Sequence, residues 1–283
     1  MRGKESVCGK DQSLRRPESV RAKKVKQSAV FHRSPIPQVD LAPGIGGVPE
    51  LRAPELDALP GQRLRAMLMA GVEVLECRRV LERGGINLVS EVLRGQGDFV
   101  EYEHYPTDDV YDSESCSQYY YHAHRADEHG HFHTFLRVGA APKKGDDSPA
   151  AVGSDPGEAV HLIGISMNAY GWPIGLFATN HWVCGGAWLP AGEVIGLLPR
   201  FRIDHAYPSW PVNRWIGAMV VLFQPHIEAL LTHRDAVIDA WAKAHPDRDV
   251  LENRELEVTG HLPISVEETI REVRARAGVR CST

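Results

Sequence analysis

The sequence predicts an α+β fold: an antiparallel sheet of about five strands, curved enough to be barrel-like, flanked by N-terminal and C-terminal helices. Three observations predict it. Within residues 98–183, several short runs alternate apolar and polar residues with period two, as half-buried strands do. Before and after that region the apolar residues recur at helical spacings of three and four. Clusters of Gly, Pro, Asn, Asp and Ser punctuate the strand-like runs and shorten them to strand length.

The elements follow in order. Residues 1–26 carry nine Lys/Arg against three acids, a local charge of +6 that leaves −11 on the rest of a chain whose net charge is −5. Pro/Gly-rich sequence follows (SPIPQVDLAPGIGGVPELRAP), so residues 1–50 are expected to form a disordered arm and residues 51–283 a single α+β domain. From Pro54 to Gly84 a helix is expected on Leu64, Leu68, Val72, Leu75 and Leu81, ended by Gly84 and Gly85. A shorter helix spans Asn87–Arg94. The sheet is expected to begin at Asp98–Tyr105 (DFVEYEHY), followed by an acidic link, PTDDVYDSES. After a central hairpin, residues 140–159 read as a flexible surface loop. Val160–Asn168 and Pro173–Val183 form the next strand pair. Their small residues, Gly164, Ser166, Gly175, Ala178 and Thr179, mark close approach of a ligand or another backbone. The carboxyl third is helical: Pro190–Leu198, Asn213–Phe223, then a helix opened by Pro225 with a stripe of Ile227, Leu230, Leu231, Val237, Ile238 and Trp241. Ser265 and Glu268 form a capping box that opens a last helix to about Ala277.

The central hairpin, YYYHAHRADEHGHFHTFLR (119–137), holds five of the fourteen histidines. In an extended chain His122 shares a face with His124 and Tyr120, and His131 shares one with His133 and Phe135. A loop over Arg125–Gly130 would place His124 opposite His131, His122 opposite His133 and Tyr120 opposite Phe135. Directly paired side chains project from one face about 4.5–5.5 Å apart at Cβ. Four imidazoles with an ordinary pKa of about 6.5 would repel one another if protonated. A divalent metal removes that repulsion by taking the neutral rings as ligands. The competing reading is a solvated hairpin, or core histidines satisfied by backbone groups. A slip of one residue in register would also defeat the metal site by sending one pair to the opposite face.

Composition narrows the alternatives. Apolar content of 43% and charged content of 24% are those of an ordinary globular protein. The acidic body argues against nucleic acid as a partner. The five cysteines (8, 77, 116, 184 and 281) are scattered without a CxxC spacing, which reads as free thiols in a reducing compartment. No apolar run reaches the roughly 18 residues of a membrane span, and no secretory h-region opens the chain. A cytoplasmic protein with no membrane partner is expected. No Walker loop, dinucleotide-binding glycine fingerprint or GxSxG elbow is present.

His122, His124 and Glu128 resemble the first metal motif of the cupin barrels, which hold one divalent metal with two His, a Glu and a later His. The chain departs from that pattern at Phe135, where cupins have Gly, and at Pro173-Ile174-Gly175, whose next histidine, His181, is too distant. From about Leu51 to Val279 the chain resembles an uncharacterised bacterial family described as a domain of unknown function. The lines YHAHRADEHGHFHTFLR, HLIGISMNAYGWPIGLFATNHWV and RELEV carry that resemblance, which implies no activity.

The expectation is a metal-dependent enzyme acting on a small molecule: a non-haem iron oxidoreductase, or a metal-assisted lyase or hydrolase. The metal ligands are drawn from His122, His124, His131 and His133. Glu128 would be a further ligand or the general base, and Tyr120 a proton donor. A histidine/carboxylate set without thiolate suits Fe(II) or Zn(II). The alternative is a non-catalytic metal-binding or pH-sensing protein.

Overall fold

The computed structural model describes residues 48–139 and 157–278. The arm expected over residues 1–50 lies almost wholly outside the described residues, as does most of the loop expected at 140–159. The chain opens on α1 (Gly61–Arg83), whose buried stripe is Leu64, Met67, Ala70, Val74, Cys77 and Leu81. Leu64 and Leu81 of the expected stripe are part of it, but Val72 is exposed. The helix ends on Gly84, and the left-handed Gly85 (φ 74°) turns the chain. The single-turn α2 (Leu88–Val92) is capped reciprocally by Asn87 and Ser90.

Six strands follow: β1 (Tyr105–Asp112), β2 (Ser117–His122), β3 (Gly130–Val138), β4 (Glu158–Met167), β5 (Pro173–Thr179) and, much later, β6 (Val258–Pro263). They form one antiparallel sheet in the order β1-β2-β3-β4-β5-β6. The sheet is open, with β1 and β6 at its edges, so the barrel-like closure expected from sequence is corrected. Two further expectations also change. Residues 98–104 are not strand, and the acidic link is itself β1. That edge strand carries Pro106, exposed Thr107 and Asp108, and a register shift between Tyr105 and Val110. Charge, proline and bulges are how an edge strand avoids pairing with another chain, and they also disguise it as a loop.

The end of β5 differs as well. The strand expected to reach Val183 stops at Thr179. Asn180 then caps a four-residue turn of helix, α3 (His181–Cys184). The chain continues through α4 (Ala191–Leu197), α5 (Trp210–Leu222), α6 (Gln224–Ala244) and, after β6, α7 (Val266–Arg276). Ser265 accepts from the Glu268 amide at the start of α7. Among the described residues no single helix is long and apolar enough to cross a membrane.

Alternation along the strands divides the sheet into two chemically different faces. Tyr119, Tyr121, Phe132, Leu136, Ile163, Ile165, Leu176 and Leu262 join Met67, Trp215, Leu222 and Ile270 of the helices in one apolar cluster. Burying side chains of this size stabilises by about 1.5–3 kcal/mol each, which fixes the strand register. One polar knot lies within this layer. The Tyr119 hydroxyl donates to Asn213 Oδ1 at 2.6 Å, and Asn213 Nδ2 donates to the carbonyls of His205 and Tyr207. The opposite face carries the histidines.

His226, in the first turn of α6, gives the helical layer an acid-sensitive point. Its ring lies edge-on to Phe223, Nδ1 is buried without a partner, and burial pushes its pKa down to about 4. The unfolded chain therefore binds a proton that the folded chain excludes. That stability is present above pH 6.5 and is lost as pH falls from about 6.5 toward 4, roughly 3 kcal/mol in all. A His226→Leu variant is expected to show a flatter stability profile over that window in denaturant titrations. Equal slopes in variant and parent would contradict this account.

Candidate metal centre

The hairpin of β2 and β3 forms with a register two residues from the expected one. His122 pairs with His131, Tyr120 with His133 and Gln118 with Phe135. The connecting loop is thus Ala123–His129 rather than Arg125–Gly130. A shift of two keeps every side chain on its face, whereas a shift of one would not. His122, His131 and His133 therefore remain together, and His124 leaves the ladder for the loop.

These three rings are tilted steeply against one another. Their centroids lie 4.4 Å (His122–His131), 4.8 Å (His131–His133) and 5.1 Å (His122–His133) apart, with interplanar angles of 84°, 85° and 70°. One nitrogen from each lies within 4.8 Å of the others, close enough to hold a single ion. His122 Nε2 and His131 Nε2 are only 2.6 Å apart. His131 and His133 are fully buried and His122 nearly so. Desolvation drives all three pKa values far down, that of His122 to about 2, with neighbouring histidines and Arg125 adding to it. The rings are therefore neutral, the form that binds metal.

Glu128 reaches back from the loop and hydrogen-bonds His131 Nδ1, and Ser166 on β4 hydrogen-bonds the same carboxylate. Burial raises the Glu128 pKa while the Ser166 contact lowers it. A carboxylate on one imidazole nitrogen fixes the tautomer and turns the other nitrogen inward as a donor. Tyr120 is sandwiched between His104, at 3.6 Å between ring centroids, and Phe135 at 5.5 Å. Its hydroxyl contacts the Cys184 thiol, and burial keeps that hydroxyl protonated. His124 stacks on Tyr102 at the rim, with its ring 4.9 Å from His122 and 5.0 Å from His131.

Two residues not singled out as ligands from sequence join this face. A regular β3–β4 ladder would pair Phe135 with Leu162. Instead the register shifts between Thr134 and Phe135, so that Phe135 pairs with His161. That bulge re-aims His161 from the helix-covered side to the histidine side. Its Nε2 comes 2.9 Å from His133 Nδ1, and its Nδ1 meets Thr179 Oγ1 at 3.3 Å. The second is Cys184, whose Sγ lies 3.6 Å from His133 Nδ1. After α3 the chain reverses through Gly185 and Gly186, both left-handed; a Cβ at Gly186 would lie 2.1 Å from the Ala159 carbonyl oxygen. His133, His161 and Cys184 form a second group that could hold a metal ion. The histidine/carboxylate set expected from sequence did not include this thiol. His181, by contrast, is hydrogen-bonded to Glu252 and the Gly186 carbonyl.

Arg125 closes the loop over the site. Its guanidinium lies 4.1 Å from the centre of the Phe177 ring and pairs with Glu257 at 3.2 Å. Phe177 in turn sits edge-on to His131 and His133. The small residues of β4 and β5 explain how such rings fit: a Cβ at Gly164 would lie 2.2 Å from Phe177, and one at Gly175 would lie 2.2 Å from His261 Nε2. Their role is to seat neighbouring side chains.

The fold and this face define an α+β protein with an open antiparallel sheet, one side apolar and the other bearing histidine-rich groups that could hold a metal ion. The chain belongs to the family described as a domain of unknown function (DUF6969), matched over residues 68–264. That match spans all six strands and every residue of both candidate groups. No curated protein and no solved structure matches the chain.

Gly164→Ala tests the packing that supports the rings. The added methyl must displace Phe177, so a loss of about 1–3 kcal/mol is expected in chemical denaturation. An unchanged midpoint would mean that Phe177 does not rest on Gly164.

Proposed function

We propose that this protein is a divalent-metal-dependent enzyme whose ion is held by His122, His131 and His133. The observation that carries the reading is the convergence of three neutral, steeply tilted imidazoles, one locked by Glu128 through its far nitrogen. Three protein ligands leave a coordination position for substrate or water. Bound there, a divalent ion would polarise a carbonyl or activate water as a Lewis acid. Three nitrogen donors suit Zn(II) and also Fe(II). The Glu128 carboxylate is engaged by His131, so a two-His-one-carboxylate iron site is the less favoured form of this proposal. Glu128 acts as a positioning residue, and His124 and His104, at the rim near His122, are the rings placed to meet a small-molecule substrate. Tyr120 stays protonated and braces His133.

The burial of His131 and His133 favours a second reading, a saturated, non-catalytic ion. The two readings differ in coordination: an exchangeable water detected by paramagnetic relaxation supports catalysis, and a closed shell supports storage or structure.

Elemental analysis of protein without a polyhistidine tag is expected to show bound divalent metal, and a His122→Ala/His131→Ala variant to hold less metal per chain. Folded wild-type protein that takes up no metal would reject the proposal. Glu128→Gln is expected to weaken metal affinity about 10–100-fold, as loss of a ligand-orienting carboxylate does. Equal metal affinity in Glu128→Gln and parent would remove its positioning role.

A further inference from the structure

His133 belongs to both candidate groups, and its two nitrogens face different partners. Nδ1 lies 2.9 Å from His161 Nε2 and 3.6 Å from Cys184 Sγ. Nε2 is buried without any hydrogen-bond partner. The lone pairs of an imidazole diverge on either side of Cε1, so one ring cannot aim both at a single ion. With Nδ1 turned toward His161 and Cys184, Nε2 is the nitrogen left to meet an ion shared with His122 and His131.

We propose a second divalent metal site formed by His133 Nδ1, His161 Nε2 and Cys184 Sγ, joined to the first by His133 as a bridging imidazolate. The bridge rests on the first site proposed above; the His161 and Cys184 ligands stand on their own geometry.

Several independent features converge on this second site. The β4 bulge brings His161 to this face. Thr179 holds His161 Nδ1, so that Nε2 points inward, as Glu128 does for His131. The single turn of α3 and the reversal at Gly185-Gly186 return Cys184 to the sheet. A small cavity of about 10 Å³, room for about one water, borders the group, lined in part by His161, Thr179, Cys184 and Arg234. The proton count is explicit. Binding releases the Cys184 thiol proton and the remaining ring proton of His133 to solvent, and the resulting thiolate and imidazolate face divalent ions. Two nitrogens and one sulfur suit ions of borderline softness, such as Zn(II) and Co(II).

Cobalt(II) titration of the metal-free full chain tests this, read by bound cobalt per chain and by thiolate-to-cobalt charge-transfer absorption. Wild type is expected to bind two cobalt ions per chain and to show the band. Cys184→Ser and His161→Gln should each take the stoichiometry from two to one and abolish the band. His122→Ala should also reduce it to one but keep the band. One cobalt per chain without the band would overturn the second site and leave the first intact. One cobalt with the band, lost in Cys184→Ser, would also overturn the two-ion arrangement. No cobalt on folded protein would overturn both proposals. Two cobalt ions that are magnetically uncoupled would overturn the shared His133 ring.

Discussion

Strands β2 and β3 are buried on both faces, and no other constraint shapes this molecule so strongly. Every residue of β2 is buried, as are the first seven of β3. On one side this is easily satisfied, because Tyr119, Tyr121, Phe132 and Leu136 meet the helices. On the other side the same alternation buries His122, His131 and His133, where water cannot serve their nitrogens. A buried polar group without a partner costs about 1–3 kcal/mol on mutational scales. The surroundings answer that demand ring by ring: Glu128 serves His131, Thr179 serves His161, and His161 serves His133 Nδ1. His133 Nε2 remains without a partner, and the Nε2 atoms of His122 and His131 have each other.

The parts of this arrangement that were legible in the sequence were those written in period two. HxH on each side of a turn places the rings on one face whatever the even register, which is why His122, His131 and His133 still meet when the register differs by two residues, while His124 leaves the ladder. The fold class and the two helical flanks followed from equally local periodicity. The edges of the sheet did not. β1 reads as an acidic linker, and β6 (VTGHLP) contains Gly and Pro and was not recognised as a strand at all. Both are edge strands, and the residues that protect an exposed edge are the ones that pattern reading assigns to loops.

His161 and Cys184 were hidden for a different reason. Simple alternation puts His161 on the same side as Ile163, on the apolar face, and only the extra residue at the bulge moves it across. A bulge leaves no residue signature when its members, here Leu162 beside His161, are ordinary strand formers. Cys184 reads as the end of a strand, and its return to the sheet depends on a break at Asn180. The available signal was Cys184-Gly185-Gly186 after Asn180-His181: an N-cap residue and a pair of glycines bracketing a span too short for a helix of its own. Such a bracket is the mark of a chain being turned back toward something.

The positive charge around the site bears on what the histidines could hold. Arg125 lies over Phe177 and Arg234 lines the cavity beside His161, and both lower the pKa of His161 after burial, the larger cause. Two guanidinium groups therefore oppose protonation of the cluster. A metal ion differs from a proton in this setting. A proton charges one ring in a dry site, whereas a divalent ion spreads its charge over three donors and can remove protons from a thiol or a bridging ring as it binds. Buried neutral rings and a buried thiol resist protonation, and together they form a set of donors that could hold a metal ion.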